Sequence, residues 1–418
     1  MSLRDHPLAY VMTHYPRVAL SFISGEIDEI EALGGTIHPI AMNLPEPADL
    51  LSEDAKARQA RTHYLKRGWI GLLGTFLLAS LRHPIGMSKL LWTAIKSSRG
   101  SLPITARRLS HLVQAASVAK ICADRNIPHL HAQFGQAPAT IAWFAAEILN
   151  FDARRRTSWS FTIHGFHDFV EDTVARLDLK AASASFVVCI SDFTRSQLYR
   201  LIHPTLWPRA VVVRCGIDLS AFAMRSPRRQ TPEPKLVSVG RLSSEKGQVV
   251  LLNACKLLMD RGVDVQLTLV GSGPLEGLIL EEIARQGLGD RVRLTGELPP
   301  EQVREELESA DLFCLTSFAE GLPISIMEAM AIGVPVVSTA ISGIPELVVN
   351  EETGQTVPPG NVEALADAIA EMLADSGKLE TIVAAARRRV ESQHDRHRNV
   401  KELYALFSGQ VGVADERA

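Results

Sequence analysis

Residues 235–274 read Lys-Leu-Val-Ser-Val-Gly-Arg-Leu-Ser-Ser-Glu-Lys-Gly-Gln-Val-Val-Leu-Leu-Asn-Ala-Cys-Lys-Leu-Leu-Met-Asp-Arg-Gly-Val-Asp-Val-Gln-Leu-Thr-Leu-Val-Gly-Ser-Gly-Pro. Lys235–Val239 is an apolar run of strand length, closed by Gly240 and a polar loop. Gln248–Arg261 places apolar residues at helical spacing, and Val265–Val270 is a second strand that ends in Gly271-Ser-Gly273-Pro274. The pattern continues with a helix over Leu275–Gln286 and strands over Arg291–Leu294, Leu312–Leu315 and Pro335–Ser338. Further helices fall at 300–309 and 323–332. Short apolar strands alternating with amphipathic helices bury both faces of a parallel sheet, so this half reads as a Rossmann-like α/β domain.

The amino-terminal half follows the same pattern more loosely. Leu8–Met12, Ile37–Met42, His129–His131, Ser158–Thr162 and Phe186–Ile190 read as strands. Phe22–Leu33 reads as a helix stopped by Gly34-Gly35. A helical insertion occupies about 50–120. The expected division is an amino-terminal domain over 1–215, a linker over 216–234 interrupted by Pro227, Pro232 and Pro234, a second domain over 235–380, and a carboxy-terminal helix and tail over 381–418. Two such halves facing each other would form a cleft at the carboxyl ends of their strands, where ligands bind in sheets of this kind.

Bulk properties narrow the class. A length of 418 residues suits two domains, and 46% hydrophobic with 22% charged residues is the composition of an ordinary globular chain. A net charge of -3 argues against a nucleic-acid partner. Cys122, Cys189, Cys215, Cys255 and Cys314 form no Cys-x-x-Cys pair, so neither a zinc site nor a disulfide framework is expected and a reducing cytosol fits. Leu8–Met12 is too short for a secretory signal, and Trp69–Leu81 is well below the ~20 residues that span a bilayer. Between Lys56 and Lys120, however, stand 12 Lys or Arg and no Asp or Glu. A basic, apolar helix of this kind suits an anionic membrane surface; the other reading is a helix packed on its domain with a solvated basic face.

The stretch that carries chemistry is Ser317-Phe-Ala-Glu320-Gly321-Leu322-Pro323-Ile324-Ser325-Ile-Met-Glu328-Ala-Met-Ala-Ile-Gly333-Val-Pro335. Pro323 suits a first helical turn, and Gly333 with Pro335 ends the helix. The free amides of Leu322, Ile324 and Ser325 would then face outward at a positive helix end, where a diphosphate sits well. Carboxylates on either side of such an anion, Glu320 and Glu328, suit sugar and ribose hydroxyls, which donate to them. Arg241 and Lys246, in the loop after the 235–239 strand, can hold the diphosphate and offset the charge on a leaving group. Gly271 and Gly273 make a tight strand-to-helix turn. Ser191 reads as a helix N-cap and not a nucleophile.

These motifs resemble those of the retaining family-4 glycosyltransferases: Glu320 and Glu328 as an E-x7-E pair, Gly240-Arg241 with Lys246-Gly247, Gly271-Ser-Gly273-Pro274, and Ser342-Gly-Ile-Pro-Glu346. The resemblance covers 235 to about 375. In the amino-terminal half, Tyr15-Pro16-Arg17 with Ser21-Phe22-Ile23 and Glu26-Ile27, His129-Leu-His131-Ala-Gln-Phe-Gly135 with Ala139-Thr140, and Phe161-Thr-Ile-His164-Gly resemble exopolysaccharide and colanic-acid glycosyltransferases. The resemblance implies a GT-B fold whose carboxy-terminal helix returns to the amino-terminal domain. It implies Arg241 and Lys246 on the donor diphosphate, Glu320 facing the transferred sugar, Glu328 on the ribose, and His164 as the acceptor-side histidine near the donor sugar. His131 is open between a site role and packing at a strand end, and Arg17 between a site role and a solvated turn. The first strand leads into Tyr-Pro-Arg where many relatives have a Gly-Gly loop.

The function these readings imply is a retaining, metal-independent transferase of hexosyl type. It would move a sugar from a UDP- or GDP-sugar, with no further cofactor, to a glycan or lipid-linked acceptor during cell-surface polysaccharide synthesis, at the cytoplasmic face of the membrane. A sugar-nucleotide epimerase or a non-catalytic sugar-nucleotide binder would use the same motifs.

Overall fold

The computed structural model describes residues 7–17, 20–50, 52–170, 175–225, 233–374 and 376–416. The chain forms two compact units, one of residues 1–213 with 397–418 and the other of residues 214–396. Pro227 and Pro232 lie outside the described residues.

The first unit is built on seven strands: β1 (Leu8–His14), β2 (Ile37–Asn43), β3 (His63–Tyr64), β4 (His129–Gln133), β5 (Ser158–Ile163), β6 (Phe186–Cys189) and β7 (Ala210–Val212). They pair in parallel in the order β3-β2-β1-β4-β5-β6-β7. Every residue of β1 from Leu8 to Met12 is buried, as a central strand covered on both faces must be. Its helices are α1 (Ser21–Ala32), α2 (Glu53–Arg61), α3 (Trp69–Arg82), α4 (Pro84–Ser97), α5 (Leu102–Asp124), α6 (Ala137–Leu149), α7 (Leu177–Ser183) and α8 (Asp192–Leu201). The insertion at 50–120 is thus α2 to α5, and its α3–α4 break falls at His83, before Pro84 at the first helical position. Ser191 caps α8 through a reciprocal pair with Thr194.

The second unit holds β8 (Lys235–Val239), β9 (Gln266–Val270), β10 (Val292–Gly296), β11 (Leu312–Leu315), β12 (Val336–Thr339) and β13 (Gln355–Val357), parallel throughout in the order β10-β9-β8-β11-β12-β13. Its helices are α9 (Gln248–Asp260), α10 (Glu276–Arg285), α11 (Pro300–Ser309), α12 (Ile324–Ile332), α13 (Ile344–Leu347), α14 (Val362–Ala374) and α15 (Ser376–Gln393). In both sheets the order reverses beside the first strand, which puts the loops after β1 and β4, and after β8 and β11, at the switch points where α/β sheets hold ligands.

The helical tail is two helices rather than one. It breaks at His394–Asp395, because the amides of Ile217 and Arg396 bond to the carbonyls of His394 and Ile217 and draw that backbone against residues 216–217. Beyond the break, α16 (Arg396–Glu416) belongs, from His397 onward, to the first unit. There Phe407, fully buried, packs on Tyr10, His129, His131 and Phe186. The tail therefore closes one face of the amino-terminal sheet with aromatic area that a spacing argument cannot assign to either unit.

Candidate functional site

In the second unit, four loops leave the carboxyl ends of β8, β9, β11 and β12 and pack backbone on backbone. Gly271, at φ +132°, lies so close to the carbonyl of Gly240 that a Cβ there would fall 2.2 Å from its oxygen. Gly247, at φ +63°, approaches the carbonyl of Thr316 equally tightly, with a Cβ at 2.3 Å. Side chains other than glycine's are excluded at both points by space and by backbone conformation. Gly273 and Gly343 make the same kind of approach to Leu242 and Gly321. The amide of Leu242 bonds to the carbonyl of Ser272, and that of Phe318 to the carbonyl of Glu245, which locks the loops in pairs.

Polar side chains stand on this backbone floor. Lys246 Nζ donates to Glu320 Oε1 at 2.5 Å, and the hydroxyl of Ser317, itself buried, donates to the same oxygen at 2.6 Å. Both contacts fall on Oε1, so Oε2 keeps its acceptor capacity. The stem of Lys246 crosses Gly240, with Cε 3.6 Å from where a Cβ would be. Arg241 is exposed, and its guanidinium has no hydrogen-bond or ion-pair partner among the described residues; its carbonyl accepts from Gln248 Nε2 at 2.8 Å.

The helix after Glu320 begins one residue later than its sequence suggests. Pro323, with ψ 117°, is the N-cap of α12 and not part of its first turn. The amides without an intrahelical acceptor are therefore those of Ile324, Ser325 and Ile326, whereas Leu322 is buried ahead of the helix. Gly333, at φ +87°, closes the other end. Glu328 lies inside α12, mostly buried, and its carboxylate has no partner among the described residues; burial alone pushes its pKa up to about 7. The structure thus joins Lys246, Glu320 and Ser317 directly. It sets Arg241, Gly271 and Gly273 on the adjoining loops. Gly321 and Ile324 lead into α12, and no direct contact ties Glu328 to the Lys246–Glu320 pair.

In the first unit, a polar chain runs to His164, just past β5. His164 Nε2 meets Gln133 Oε1 at 2.5 Å, Gln133 Nε2 donates to Glu26 Oε1 at 2.7 Å, and the hydroxyl of Tyr10 donates to that same oxygen at 2.9 Å. Since the Gln133 amide spends its N–H on Glu26, its oxygen is the acceptor for His164, and the proton of the neutral imidazole sits on Nε2. The ring lies between Phe22 and Phe134, at 5.1 and 4.5 Å between centroids, and burial pulls its pKa down to about 3. The imidazole is therefore neutral at pH 7 with Nδ1 left as an acceptor.

The same loop is pinned by Asp168. It takes the amide of His164 at 2.8 Å and that of Gly135 at 2.7 Å, while the buried Lys180 ammonium holds the carbonyls of Gly135 and Gln136 at 2.6 and 2.8 Å. His131 is not at this site. It is fully buried beneath Phe407 and bonds to the hydroxyls of Ser160 and Thr162 at 2.8 and 2.9 Å, so its strand-end packing reading holds. Arg17 lies in the turn after β1; burial, and after it the charge of Arg17, lowers the pKa of His14.

Comparison with known proteins finds similarity at two levels, sequence and fold. Residues 221–389 match the model of glycosyl transferases group 1. The chain carries a group 1 glycosyltransferase domain. WcaL of Escherichia coli (strain K12), a glycosyltransferase named for colanic acid biosynthesis, is 36% identical over 227 residues, which is 52% of this chain and 55% of that one. The amylovoran biosynthesis glycosyltransferase AmsK of Erwinia amylovora is 35% identical over 202 residues, 47% of this chain and 50% of that one. The chain spans about half the length of the curated relatives it matches. Among solved structures, HepE of Anabaena, in complex with UDP and glucose, aligns with a TM-score of 0.72 at 19% identity, over 97% of this chain and 100% of that one. The lipopolysaccharide outer core galactosyltransferase WaaB aligns at 0.68 and 16%, over 96% and 99%. The fold of the chain is therefore GT-B, two Rossmann-like α/β domains each on a parallel sheet.

Several residues of this arrangement were not singled out by motif reading. Ser317, Gln133, Glu26, Tyr10, Asp168 and Lys180 act on other residues of the chain, so their spacing does not reveal what they do. Gln133, inside His131-Ala-Gln-Phe134, Glu26, closing the motif that begins at Tyr15, and Ser317, at the head of the Glu320 stretch, do lie within the family-like motifs.

Glu26 supplies a stability test. Burial, the largest effect, raises its carboxyl to about 7, against the two hydrogen bonds that lower it. The unfolded chain releases this proton near ~4.3, so the folded state holds it between ~4.3 and 7, and stability falls as pH rises through that window. Gln at this position keeps the acceptor for Tyr10 and Gln133 without the charge. Glu26→Gln is expected to match the parent in stability at pH 4 and to exceed it by about 1–3 kcal/mol at pH 8 in urea unfolding. An equal difference at both pH values would place the Glu26 carboxylate in a solvated setting.

Proposed function

We propose that the protein is a retaining hexosyltransferase that uses a UDP- or GDP-sugar as donor and a glycan or lipid-linked oligosaccharide as acceptor in exopolysaccharide synthesis. The observation that carries this reading is the Lys246–Glu320 pair, held by Ser317 on a floor of close-packed loops just ahead of the free amides of α12. A cation and a helix start on one side, with a carboxylate oxygen kept open beside them, match a pyrophosphate joined to a sugar.

In this reaction Lys246 keeps two of its three N–H donors for the diphosphate, Arg241 adds a planar fork, and the amides of Ile324 to Ile326 complete the anion seat. Glu320 Oε2 accepts from hydroxyls of the transferred sugar, and the unpartnered Glu328 accepts from the ribose. His164 Nδ1 accepts from a substrate hydroxyl, its tautomer fixed by Gln133. The anomeric C1–O bond to the diphosphate breaks as C1 bonds to the acceptor oxygen on the same face. The acceptor proton passes to the departing phosphate oxygen. Charge grows on that oxygen as the bond breaks, and fixed cations and amides stabilise it more than the ground state. Neither Glu320 nor His164 acts as a covalent nucleophile. The cations of the chain supply the positive charge, so activity is proposed to need no metal.

Nucleotide release from UDP- and GDP-sugars, with and without a membrane-lipid extract as acceptor, tests the reading. Acceptor-dependent release that survives EDTA supports it. An altered sugar without release would make the protein an epimerase, and binding alone a sugar-nucleotide carrier. Glu320→Ala is expected to lower kcat at least a hundredfold with native circular dichroism, whereas Arg241→Ala and Lys246→Ala should raise the donor KM as well as lower kcat. Undiminished turnover in Glu320→Ala would remove that residue from the site.

Glu328 gives a pH signature. Its carboxyl, at about 7 when no ligand is bound, must be ionised to accept two ribose hydroxyls. The donor pyrophosphate itself has no ionisation near pH 7. Donor affinity is expected to rise severalfold from pH 6 to pH 8, and Glu328→Gln should flatten that rise; a pH profile unaltered by the substitution would take Glu328 off the ribose.

A further inference from the structure

The helical pair α3–α4 exposes a surface that the sugar chemistry does not use. Of the eighteen large hydrophobic residues exposed among the described residues, ten lie between Trp69 and Leu102. On α3, Ile70, Leu73, Leu77 and Leu81 recur at three- and four-residue steps and form one outward stripe, while Leu72 on the opposite face is buried. Ile70 is 89% and Leu81 80% exposed, values that a helix fully packed on its own domain does not show. On α4, Ile85 and Trp92 form the matching outward stripe, 74% and 64% exposed, with Met87, Leu90 and Ala94 turned inward.

Cations stand on and beside these stripes. Lys66, Arg82, Lys89 and Lys96 are exposed and make no ion pair among the described residues, and no Asp or Glu occurs from 56 to 120. Each arm has 14 residues, about 21 Å at 1.5 Å per residue, against a hydrocarbon core of about 30 Å. The two arms are bent by 120° at His83, and each keeps one face on its own domain. Neither arm can span a bilayer, and both can lie in its surface.

We infer that α3 and α4 form a monotopic docking surface for an anionic lipid bilayer, with the two apolar stripes entering the acyl boundary and Lys66, Arg82, Lys89 and Lys96 meeting the headgroups. Charge decides the occupant. A second copy of this chain would bring the same four cations face to face, and burying them against one another opposes association. An anionic lipid surface neutralises them while it covers the apolar stripe.

The full chain is mixed with vesicles of phosphatidylcholine alone and with 30% phosphatidylglycerol and floated on a density gradient. The protein is expected to float with the anionic vesicles only. Partition should drop at least tenfold when salt is raised from 0.1 to 1 M, which shortens the screening length from about 10 to about 3 Å. The combined variant Lys66→Glu, Arg82→Glu, Lys89→Glu should lose flotation, and so should Ile70→Ser with Leu81→Ser, both with native circular dichroism and unchanged nucleotide binding. Brominated lipid should quench Trp69 and Trp92, and the quenching should vanish in Trp69→Phe with Trp92→Phe. Flotation that is absent, or unchanged in both multiple variants, overturns the inference. So does a concentration-dependent dimer, lost in Ile70→Ser with Leu81→Ser, from a protein that binds no vesicle. Nucleotide binding is read separately, so loss of membrane docking is distinguishable from failure of the transferase reading.

Discussion

The carboxy-terminal unit depends on how closely main chains approach at the carboxyl edge of its sheet. Loops that leave neighbouring parallel strands have room for bulky side chains only if they spread apart. Here they do not spread: Gly271 against the carbonyl of Gly240 and Gly247 against that of Thr316 leave no space for a Cβ. The close approach turns four loops into one rigid floor, and rigidity lets Lys246 and Ser317 hold a single oxygen of Glu320. A carboxylate fixed in this way loses little freedom when it meets a hydroxyl. Its partner lysine keeps two donors unspent for the anion proposed to bind there. Preorganisation of this kind is what electrostatic catalysis requires.

The amino-terminal unit reaches order by other means. Its site-facing loops are held by side chains: Asp168 gathers the amides of His164 and Gly135, Lys180 gathers the carbonyls of Gly135 and Gln136, and Tyr10, Glu26 and Gln133 orient His164. Polar networks removed from water are costly when incomplete, and here almost every donor has an acceptor. The cost remains visible in the pKa values. Burial lifts Glu26 to about 7 and Asp168 to about 6, and it pulls His164 down to about 3. Each shift favours the neutral form of a group enclosed in the domain.

Much of the fold was legible in the sequence because parallel strands buried on both faces are nearly all apolar. Lys235–Val239 and Leu312–Leu315 were bounded to the residue, as was the helix at 300–309. The strands that escaped reading, His63–Tyr64, Ala210–Val212 and Gln355–Val357, are two or three residues long and lie at or beside sheet edges, too short for a period to show. The tail was read as helical, but its break came from a main-chain pairing with residues 216–217, almost 180 positions away, which no local pattern encodes. In the site, charged residues beside glycines were legible because their chemistry is local. Which oxygen of Glu320 is engaged, and which nitrogen of His164 carries the proton, are set by Ser317 and Gln133 and emerge only in three dimensions. His131 illustrates the opposite case: its motif resembled that of known enzymes, yet the residue serves the core beneath Phe407.

The central claim is that one anion seat, made of the loop after β8 and the start of α12, holds the donor diphosphate. Amide hydrogen exchange followed by mass spectrometry, with and without UDP and GDP, tests it most directly. Slower exchange confined in the second unit to 240–248 and 317–328 is the predicted result. Protection elsewhere with those two segments unchanged, under conditions where the nucleotide is bound, would contradict it.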